Sequence, residues 1–265
     1  MEKDIPLKTS IDVARIRKSC RLVEQAFHFV HRLMRPGLTT LDLSQRVDEF
    51  IANSEATPSL KGYRGFPSAV CTSINNVAAH GIPGDYALEP GDIVTIDLTL
   101  AIDGWHGDAA WTYVVEPASA DAERLVNAAW QTTIAGIASV EAGATMGDIG
   151  HAISQAASRF GCAVIQDYVG HGIGEQMHEE PRIPNFGTQG KGLVIKPGMV
   201  FTIEPIVTLG KSAVKVLDDG WTIITADNSL AAQFEHTVAV FKDRKEILTL
   251  STSRLKDYLD RPPFF

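Results

Sequence analysis

The sequence predicts an α+β protein made of two similar halves, each containing a pair of helices followed by strands. Two observations indicate this architecture: apolar residues recur with helical spacing in several segments, and two different sequence patterns each occur twice at nearly the same separation. With 265 residues, of which 45% are hydrophobic and 21% charged, the chain is long enough to bury a substantial core. We therefore expect a globular protein rather than a disordered one.

The first two helices are indicated by the spacing of apolar residues. Between Ile16 and Met34 these residues step by three and four, which predicts one long helix that ends at Pro36-Gly37. A second helix is expected to start at Thr39 or Thr40. Residues 63–80 are rich in Gly, Ser and Asn and are expected to form loop and short strand.

A β-hairpin is predicted in the middle of the first half. Two strand-like segments, 93–100 and 105–115, are separated by Asp103-Gly104, a strong signal for a two-residue turn. With this turn the numbers of two directly opposed residues always add up to 207. Asp97 and Asp108 add up to 205, so they are not directly opposed but project from the same face of the sheet as diagonal neighbours. Such neighbours have Cα atoms about 7–8 Å apart, close enough for their carboxylates to share a cation.

The second half is expected to begin with another helix pair, over residues 121–140 and after Thr145. From Ala163 onward, strand-like runs alternate with Gly- and Pro-rich turns until a polar C-terminal tail.

The internal repeat relates these two halves. The segment MRPGLTTLDLSQRVDEFI at 34–51 returns as VEAGATMGDIGHAISQAA at 140–157, at an offset of 106. EPGDIVTIDL at 89–98 returns as KPGMVFTIEP at 196–205, at an offset of 107. Pro-Gly turns before apolar strands are common, but that does not explain the shared spacing. The repeat predicts one domain over residues 1–265, with halves at about 8–118 and 119–250, each containing a strand that ends in a carboxylate.

The charge and cysteine content exclude several classes of protein. The formal net charge is −8, which argues against a surface for nucleic acid or anionic lipid and suits a metal ion or a peptide amino terminus. The first thirty residues lack the apolar core of a secretory signal, and no apolar run reaches the roughly 18 residues needed to span a bilayer. Three widely spaced cysteines form no disulfide framework. We therefore expect a protein of the reducing cytoplasm.

Acidic residues in apolar strands are the candidate functional groups. Asp97 lies within IVTIDL, where an aspartate is disfavoured and is costly to bury unpaired. An exposed strand end would explain a single aspartate, but Glu204 holds the equivalent place in VFTIEP, and Glu235 lies in a similar setting in QFEHT. His171, in GHGIG, would by itself more often be a structural or surface histidine.

Together these residues suggest a site for two metal ions. Four carboxylates at one place would repel each other and could not all stay ionised in a dry pocket. Two divalent cations would balance the four negative charges and would retain a neutral imidazole as a further ligand. An oxygen-rich ligand set with one histidine suits Co, Mn, Fe or Zn ions rather than a thiolate zinc site.

Seven motifs identify the family that the sequence resembles: HGIPG at 80–84, TIDL at 95–98, HGD at 106–108, GHGIG at 170–174, MHEEP at 177–181, FTIEP at 201–205 and FEHT at 234–237. From about residue 8 to residue 250 the sequence resembles the type I methionine aminopeptidases. The resemblance implies a pita-bread fold, in which two pseudo-symmetric αβ halves surround a central antiparallel sheet. Because no zinc-binding extension precedes the catalytic domain, we expect a bacterial-type protein.

The resemblance also implies a role for each matched residue. Two metal ions would be bound by Asp97, Asp108, His171, Glu204 and Glu235, with Asp108 and Glu235 bridging. His80 and His178 would contact the scissile peptide, and Glu204 would take a proton from the attacking water. The methionine pocket would be lined by Tyr63, Phe66, Cys71, Met177 and Trp221, residues that core packing would otherwise explain.

The implied activity is removal of the initiator methionine from proteins and peptides with a small second residue, by a metal-bridging hydroxide that attacks the first peptide bond. The expected partners are the N-termini of nascent polypeptides near the ribosome, without direct binding to nucleic acid or membrane, and the expected state is a monomer. Two alternatives stay open at this point. One is a prolidase or Xaa-Pro aminopeptidase with the same fold and ligands, and the other is a peptide-binding relative that has lost catalysis.

The sequence departs from the family pattern near the site. Asn75-Asn76-Val77 precedes His80 where an acidic pair is usual, and Ala109-Ala110-Trp111 replaces the usual Thr-Ser-Arg. Met177 replaces a common Phe, and Leu60 stands where a small residue or Cys is frequent. None of these residues is an expected metal ligand, so the departures concern the rate, the pocket shape and the preference for the second residue.

Overall fold

The computed structural model describes residues 5–251 and Pro262. Within these residues lie four α-helices at the four predicted places, the first of which begins before the predicted Ile16: α1 (Ser10–Leu33), α2 (Thr40–Ala52), α3 (Ala120–Ala138) and α4 (Met146–Arg159). One 3₁₀ turn occupies Tyr63–Gly65. The predicted polar C-terminal tail lies almost wholly outside the described residues.

Fifteen strands occur in the described part of the chain, and every pairing between them is antiparallel. In chain order they are β1 (Thr57–Pro58), β2 (Cys71–Ile74), β3 (Val77–Ala79), β4 (Ile93–Ile102), β5 (Trp105–Val114), β6 (Ala163–Val164), β7 (Gly170–Gly172), β8 (Glu179–Ile183), β9 (Val200–Ile203), β10 (Ile206–Thr208), β11 (Val214–Val216), β12 (Ile223–Thr225), β13 (Ala231–Gln233), β14 (His236–Val240) and β15 (Lys245–Ile247).

The hairpin of β4 and β5 has the predicted register. Ile102 pairs with Trp105 and Asp97 pairs with Ala110, while Asp108 lies opposite Thr99. The two aspartates therefore occupy diagonal positions on one face of the sheet, as the parity argument requires. Strands β1 and β2 also pair with β4, which completes a four-stranded sheet.

A five-stranded sheet in the second half has the order β15-β14-β9-β7-β8. It meets the β4–β5 hairpin at the start of β14, where the backbone N–H of Glu235 donates to the Ala110 carbonyl at 2.8 Å. The Thr237 hydroxyl adds a 2.7 Å hydrogen bond to the carbonyl oxygen of Asp108. The two sheets are therefore joined beside the predicted ligands.

The prediction of two similar αβ halves is confirmed by matching local structure. The turn glycines Gly37 and Gly143 both have positive φ, and each precedes a threonine that caps the next helix. In the second half Thr145 and Asp148 form a full capping box, whereas in the first half only the Thr39 hydroxyl accepts a backbone hydrogen bond. Each capping threonine also bridges to a later segment of its own half, Thr39 to Ala87 and Thr145 to Val194.

The two related strands differ at their acidic residues. Glu204 directly follows β9, as predicted, because Pro205 has no N–H with which to extend the ladder. The expectation that the strand of each half ends in its carboxylate is wrong for the first half, because β4 continues past Asp97 to Ile102, two residues beyond the predicted segment 93–100. Glu235 lies in the break between β13 and β14, with its backbone N–H bonded to the neighbouring sheet.

Two apolar clusters position the helices on these sheets. The larger one joins α1, α2 and α3 to the β4–β5 hairpin, with Phe27 and Trp130 among its fully buried side chains. The second packs Ile149 and Ile153 of α4 against Phe201 and other residues of the five-stranded sheet. Among the described residues, no helix is both long and apolar enough to cross a membrane.

Candidate metal centre

Three of the predicted ligands converge closely at the junction of the two sheets. Side-chain ligand atoms of Asp108, His171 and Glu235 all lie within 4.8 Å of one another. His171 Nε2 is 3.7 Å from Asp108 Oδ2 and 3.6 Å from Glu204 Oε1. Asp97, on the same sheet face as Asp108, completes the group by its strand position. The structure thus brings together the four predicted carboxylates and the predicted histidine.

The histidine is held in the tautomer that a metal requires. His171 Nδ1 lies 2.9 Å from the Gly172 carbonyl oxygen, and because a carbonyl can only accept, Nδ1 carries the proton. Nε2 therefore presents its lone pair to Asp108 and Glu204. Burial, followed by the neighbouring His178, lowers the pKa of His171 to about 3, so the ring is neutral at physiological pH.

The carboxylates are destabilised in their ionised form when no cation is present. Burial raises the pKa of Asp97 to about 7 and that of Glu204 to about 8. Burial, followed by the charge of Asp97, raises the pKa of Asp108 well above its usual range. Burial, followed by the charge of Asp108, likewise raises the pKa of Glu235. The ionised form of all four carboxylates is therefore unfavourable in this site, and bound positive ions would stabilise it.

One buried oxygen at the centre has no hydrogen-bond partner among the residues that the structure describes. Glu235 Oε1 is inaccessible to solvent and accepts no hydrogen bond from this part of the chain, although such a group is costly to leave unsatisfied. It belongs to the same cluster as the free Nε2 of His171. An orphaned carboxylate oxygen, an available imidazole nitrogen and an oxygen-rich donor set fit divalent cations.

Polar side chains that the sequence reasoning missed hold these ligands in place. The Thr99 hydroxyl donates to Asp108 Oδ1 at 2.8 Å, and the Thr202 hydroxyl donates to Glu204 Oε1 at 2.7 Å. Thr202 Oγ1 also accepts the backbone N–H of His171 at 3.0 Å. Gln233 Nε2 donates to the Glu204 carbonyl oxygen at 3.3 Å. The hairpin register already paired Thr99 with Asp108, and the sequence TIE placed Thr202 on the same strand face as Glu204, so both signals were available.

The cluster forms part of a cleft of about 750 Å³ that contains every predicted site residue. The predicted site residues that line this cleft are Tyr63, Phe66, Cys71, His80, Asp97, Asp108, His171, Met177, His178, Glu204, Trp221 and Glu235. The cleft also contains residues that were not singled out as site residues from the sequence, including Arg64, Asp167, Tyr168 and Arg182.

Two further histidines, His80 and His178, line the same cleft as the carboxylates. The rings of His178 and His171 are 4.3 Å apart between centroids, and His178 Nδ1 lies 3.0 Å from the Tyr63 hydroxyl. Burial, followed by the charge of Arg64, lowers the pKa of His178 to about 4. Burial also lowers the pKa of His80, which adopts a positive φ of 54°. Both rings are therefore available as uncharged hydrogen-bonding groups.

The remaining predicted residues form an apolar wall of the cleft. Phe66 and Trp221 contact each other edge to face, with ring centroids 5.1 Å apart. Cys71 lies on β2 directly opposite Asp97, and Met177 is almost fully buried. This combination of aromatic and sulfur groups suits an unbranched, polarisable side chain.

Several of the residues that depart from the family pattern make defined contacts. Trp111 is buried and stacks on Phe27 with centroids 4.6 Å apart, while its edge meets the His236 ring beside Glu235. Asn75 bonds to the buried Asp92 carboxylate at 2.8 Å. Met177 and Leu60 both line the cleft.

The fold and the carboxylate–histidine cluster are those of a metal-dependent hydrolase, and a family comparison agrees. The model of metallopeptidase family M24 matches residues 14–242. The chain therefore belongs to metallopeptidase family M24.

Relatives narrow this assignment to the methionine aminopeptidases of the family. The methionine aminopeptidase of Clostridium perfringens is 42% identical over 246 residues, which cover 93% of this chain and 99% of the relative. The crystal structure of methionine aminopeptidase from Rickettsia prowazekii superposes with a TM-score of 0.92 at 42% identity, covering 93% of this chain and all of that one. A prolidase from Pyrococcus furiosus has a TM-score of 0.74 but only 21% identity, so that likeness concerns the pita-bread fold alone.

Proposed function

We propose that this protein removes the N-terminal methionine from proteins and peptides whose second residue is small. One observation carries the proposal: the acidic cluster with an orphaned carboxylate oxygen and a free imidazole nitrogen shares a cleft with a wall of aromatic and sulfur side chains. The first feature suits metal-assisted hydrolysis and the second suits a methionine side chain. The similarity to methionine aminopeptidases supports the same activity.

We propose two divalent metal ions per chain, either Co, Mn, Fe or Zn. Their ligands would be Asp97, Asp108, His171, Glu204 and Glu235. Two such ions would offset the four negative charges whose burial raises the carboxyl pKa values. When bound, the ions would activate water and polarise the scissile carbonyl.

The protein's own groups would then direct the reaction. Glu204, oriented by the Thr202 hydroxyl, would accept a proton from the attacking water. His80 and His178 would contact the scissile peptide, and as neutral rings they could donate a hydrogen bond to its carbonyl oxygen. Hydrogen bonding to Tyr63 fixes the direction of the His178 ring. The methionine side chain would pack against Tyr63, Phe66, Cys71, Met177 and Trp221.

The proposal also includes the substrates of the protein, its oligomeric state and its cellular compartment. The substrates would be N-termini of nascent polypeptides near the ribosome, and the protein would act as a cytoplasmic monomer without direct contact to nucleic acid or membrane. Residues 8–118 and 119–250 would be two halves of one catalytic domain, since ligands come from both.

A substrate comparison tests the proposal. Purified protein is incubated with Met-Gly-Met-Met and with an Xaa-Pro dipeptide, in the presence of Mn²⁺, of Co²⁺ or of a chelator. We expect metal-dependent release of methionine from the first peptide only. Hydrolysis of the Xaa-Pro dipeptide alone would favour a prolidase-type enzyme, and hydrolysis of neither peptide with any metal would refute the enzymatic proposal.

Matched variants test the site. His171→Ala and Glu204→Ala should both abolish turnover, because each removes a ligand. His151→Ala, on α4 and outside the cleft, is the control and should retain full activity. An active Glu204→Ala variant would contradict the assignment of the site.

A further inference from the structure

A short irregular segment carries two of the cleft residues. Residues 174–178 form neither helix nor strand, yet they contain Met177 and His178. The position of His178 beside His171 therefore depends on contacts that tie this segment to the rest of the protein. One such contact comes from β5, where the backbone N–H of His106 donates to the Gly174 carbonyl at 2.9 Å.

The other end of the segment is fixed by a buried ion pair. Lys8 Nζ lies 2.5 Å from Glu179 Oε2, and the two side chains are only 6% and 8% exposed. Glu179 immediately follows His178 in the chain. Its second oxygen, Oε1, accepts the backbone N–H of Gln176 at 3.1 Å, so one carboxylate joins the lysine to the segment.

The neighbouring glycine is needed to make room for this lysine. A Cβ on Gly174 would lie 2.5 Å from both Lys8 Cε and Lys8 Nζ, and 2.8 Å from Glu179 Oε1. The glycine of GHGIG at this position therefore leaves space for the ammonium group to reach Glu179.

Lys8 is itself held from the opposite side. Its backbone N–H donates to the Gly198 carbonyl at 2.7 Å, just before β9. The next residue, Thr9, is the N-cap of α1 and forms a capping box with Asp12. The backbone of Lys8 is thus fixed by hydrogen bonds, and its ammonium group can hold the more irregular segment in place.

We propose that Lys8 is a positioning residue for the reaction: by holding Glu179 it sets the conformation of residues 174–178 and hence the place of His178. Lys8 would not contact the substrate and would act only through Glu179. The inference rests on the proposed function, because it assigns His178 a role at the scissile peptide.

The test compares two lysine-to-methionine variants by steady-state kinetics. Lys8→Met removes the buried ammonium but keeps the side-chain length. Lys18→Met is the matched control, because Lys18 pairs with Asp103 at the surface, with the two side chains 64% and 81% exposed. We expect Lys8→Met to lower kcat by roughly 10- to 100-fold, as small misplacements of catalytic groups do. Lys18→Met should match the wild type, and Lys8→Arg should recover part of the loss.

Two further measurements keep the test decisive. Glu179→Gln removes the ion pair and leaves one amide oxygen for two donors, the Lys8 ammonium and the Gln176 amide, so it should also lower kcat. This variant also provides the test if Lys8→Met folds poorly. The double variant should lose no more than the worse single variant, since both act through one contact. Equal kcat values for Lys8→Met and Lys18→Met would overturn the proposal.

Hydrogen exchange gives a readout that does not depend on activity. The Gln176 amide should exchange faster in Lys8→Met than in the wild type and should be unchanged in Lys18→Met. Unchanged protection in Lys8→Met would overturn the positioning role even if the wild type cleaved neither peptide. If the wild type cleaves neither peptide but the Gln176 amide exchanges faster in Lys8→Met, the proposed function is refuted. The role of Lys8 in fixing this segment is then still supported.

Discussion

Removing the metal ions should make the stability of this protein fall as the pH rises above neutrality. The perturbation is chelation, which leaves the four carboxylates of the cluster without positive charge. Burial raises the pKa of Glu204 from its ordinary 4.5 to about 8. Between these values the folded state keeps a proton that the unfolded state has released, so stability declines as the pH rises through the interval.

The size of the effect can be worked out for Glu204. Between pH 7 and pH 8, a group with a pKa near 8 in the folded state and near 4.5 in the unfolded state costs about 1 kcal/mol of stability. Asp97, with a pKa of about 7, adds roughly a third of that. Histidines with lowered pKa values, such as His171, act in the opposite direction, but mainly below pH 7.

The assay is urea unfolding of the chelated protein at pH 7 and pH 8, for the wild type and for Glu204→Gln. The drop in unfolding free energy should be larger in the wild type by about 1 kcal/mol, because the variant lacks the titrating group. The histidine contribution is common to both proteins and cancels in this comparison. With saturating Mn²⁺ the wild-type drop should disappear, because bound ions hold the carboxylates ionised. Equal drops in the two chelated proteins would refute the reasoning.

Three other outcomes are expected. Thr202→Val should lower kcat about 10-fold or more, because Glu204 and the His171 amide lose a partner, and a change under twofold would contradict this role. Trp111→Ala should lower the free energy of urea unfolding by about 3–5 kcal/mol, since a fully buried indole is removed; a loss below about 1 kcal/mol would be inconsistent with its packing. Cys71 should resist a thiol reagent at pH 8 in the folded protein and react in urea, because it is buried and its pKa is raised; modification without unfolding would show otherwise.

The parts of the fold that follow from local rules could be predicted from the sequence. Asp103-Gly104 sets the register of the hairpin, and the period of two along each strand then places Asp97 and Asp108 on one face. The repeated Thr-x-x-Asp starts mark α2 and α4, because a threonine hydroxyl can satisfy the first free amides of a helix.

The rest depends on contacts between distant segments, which spacing does not encode. Glu235 reaches the cluster because its backbone bonds to the Ala110 carbonyl across the junction of the two sheets. The pair between Lys8 and Glu179 joins residues 171 positions apart, and neither residue is unusual in the sequence. The hydroxyl of Thr202 could have been noticed through the repeat, but its bond to Glu204 depends on a rotamer that only the folded structure defines.

The distribution of the ligands along the chain has a consequence for synthesis. Asp97 and Asp108 are the first of the five proposed ligands to be made, whereas Glu235, which contributes the buried oxygen without a described partner, is the last of them. A polypeptide still emerging from its own ribosome therefore has an incomplete set of donors until the start of β14 has been translated and has docked on β5. The capacity for hydrolysis would then be absent until Glu235 has been made, and fragments whose translation stops before Glu235 would be inert.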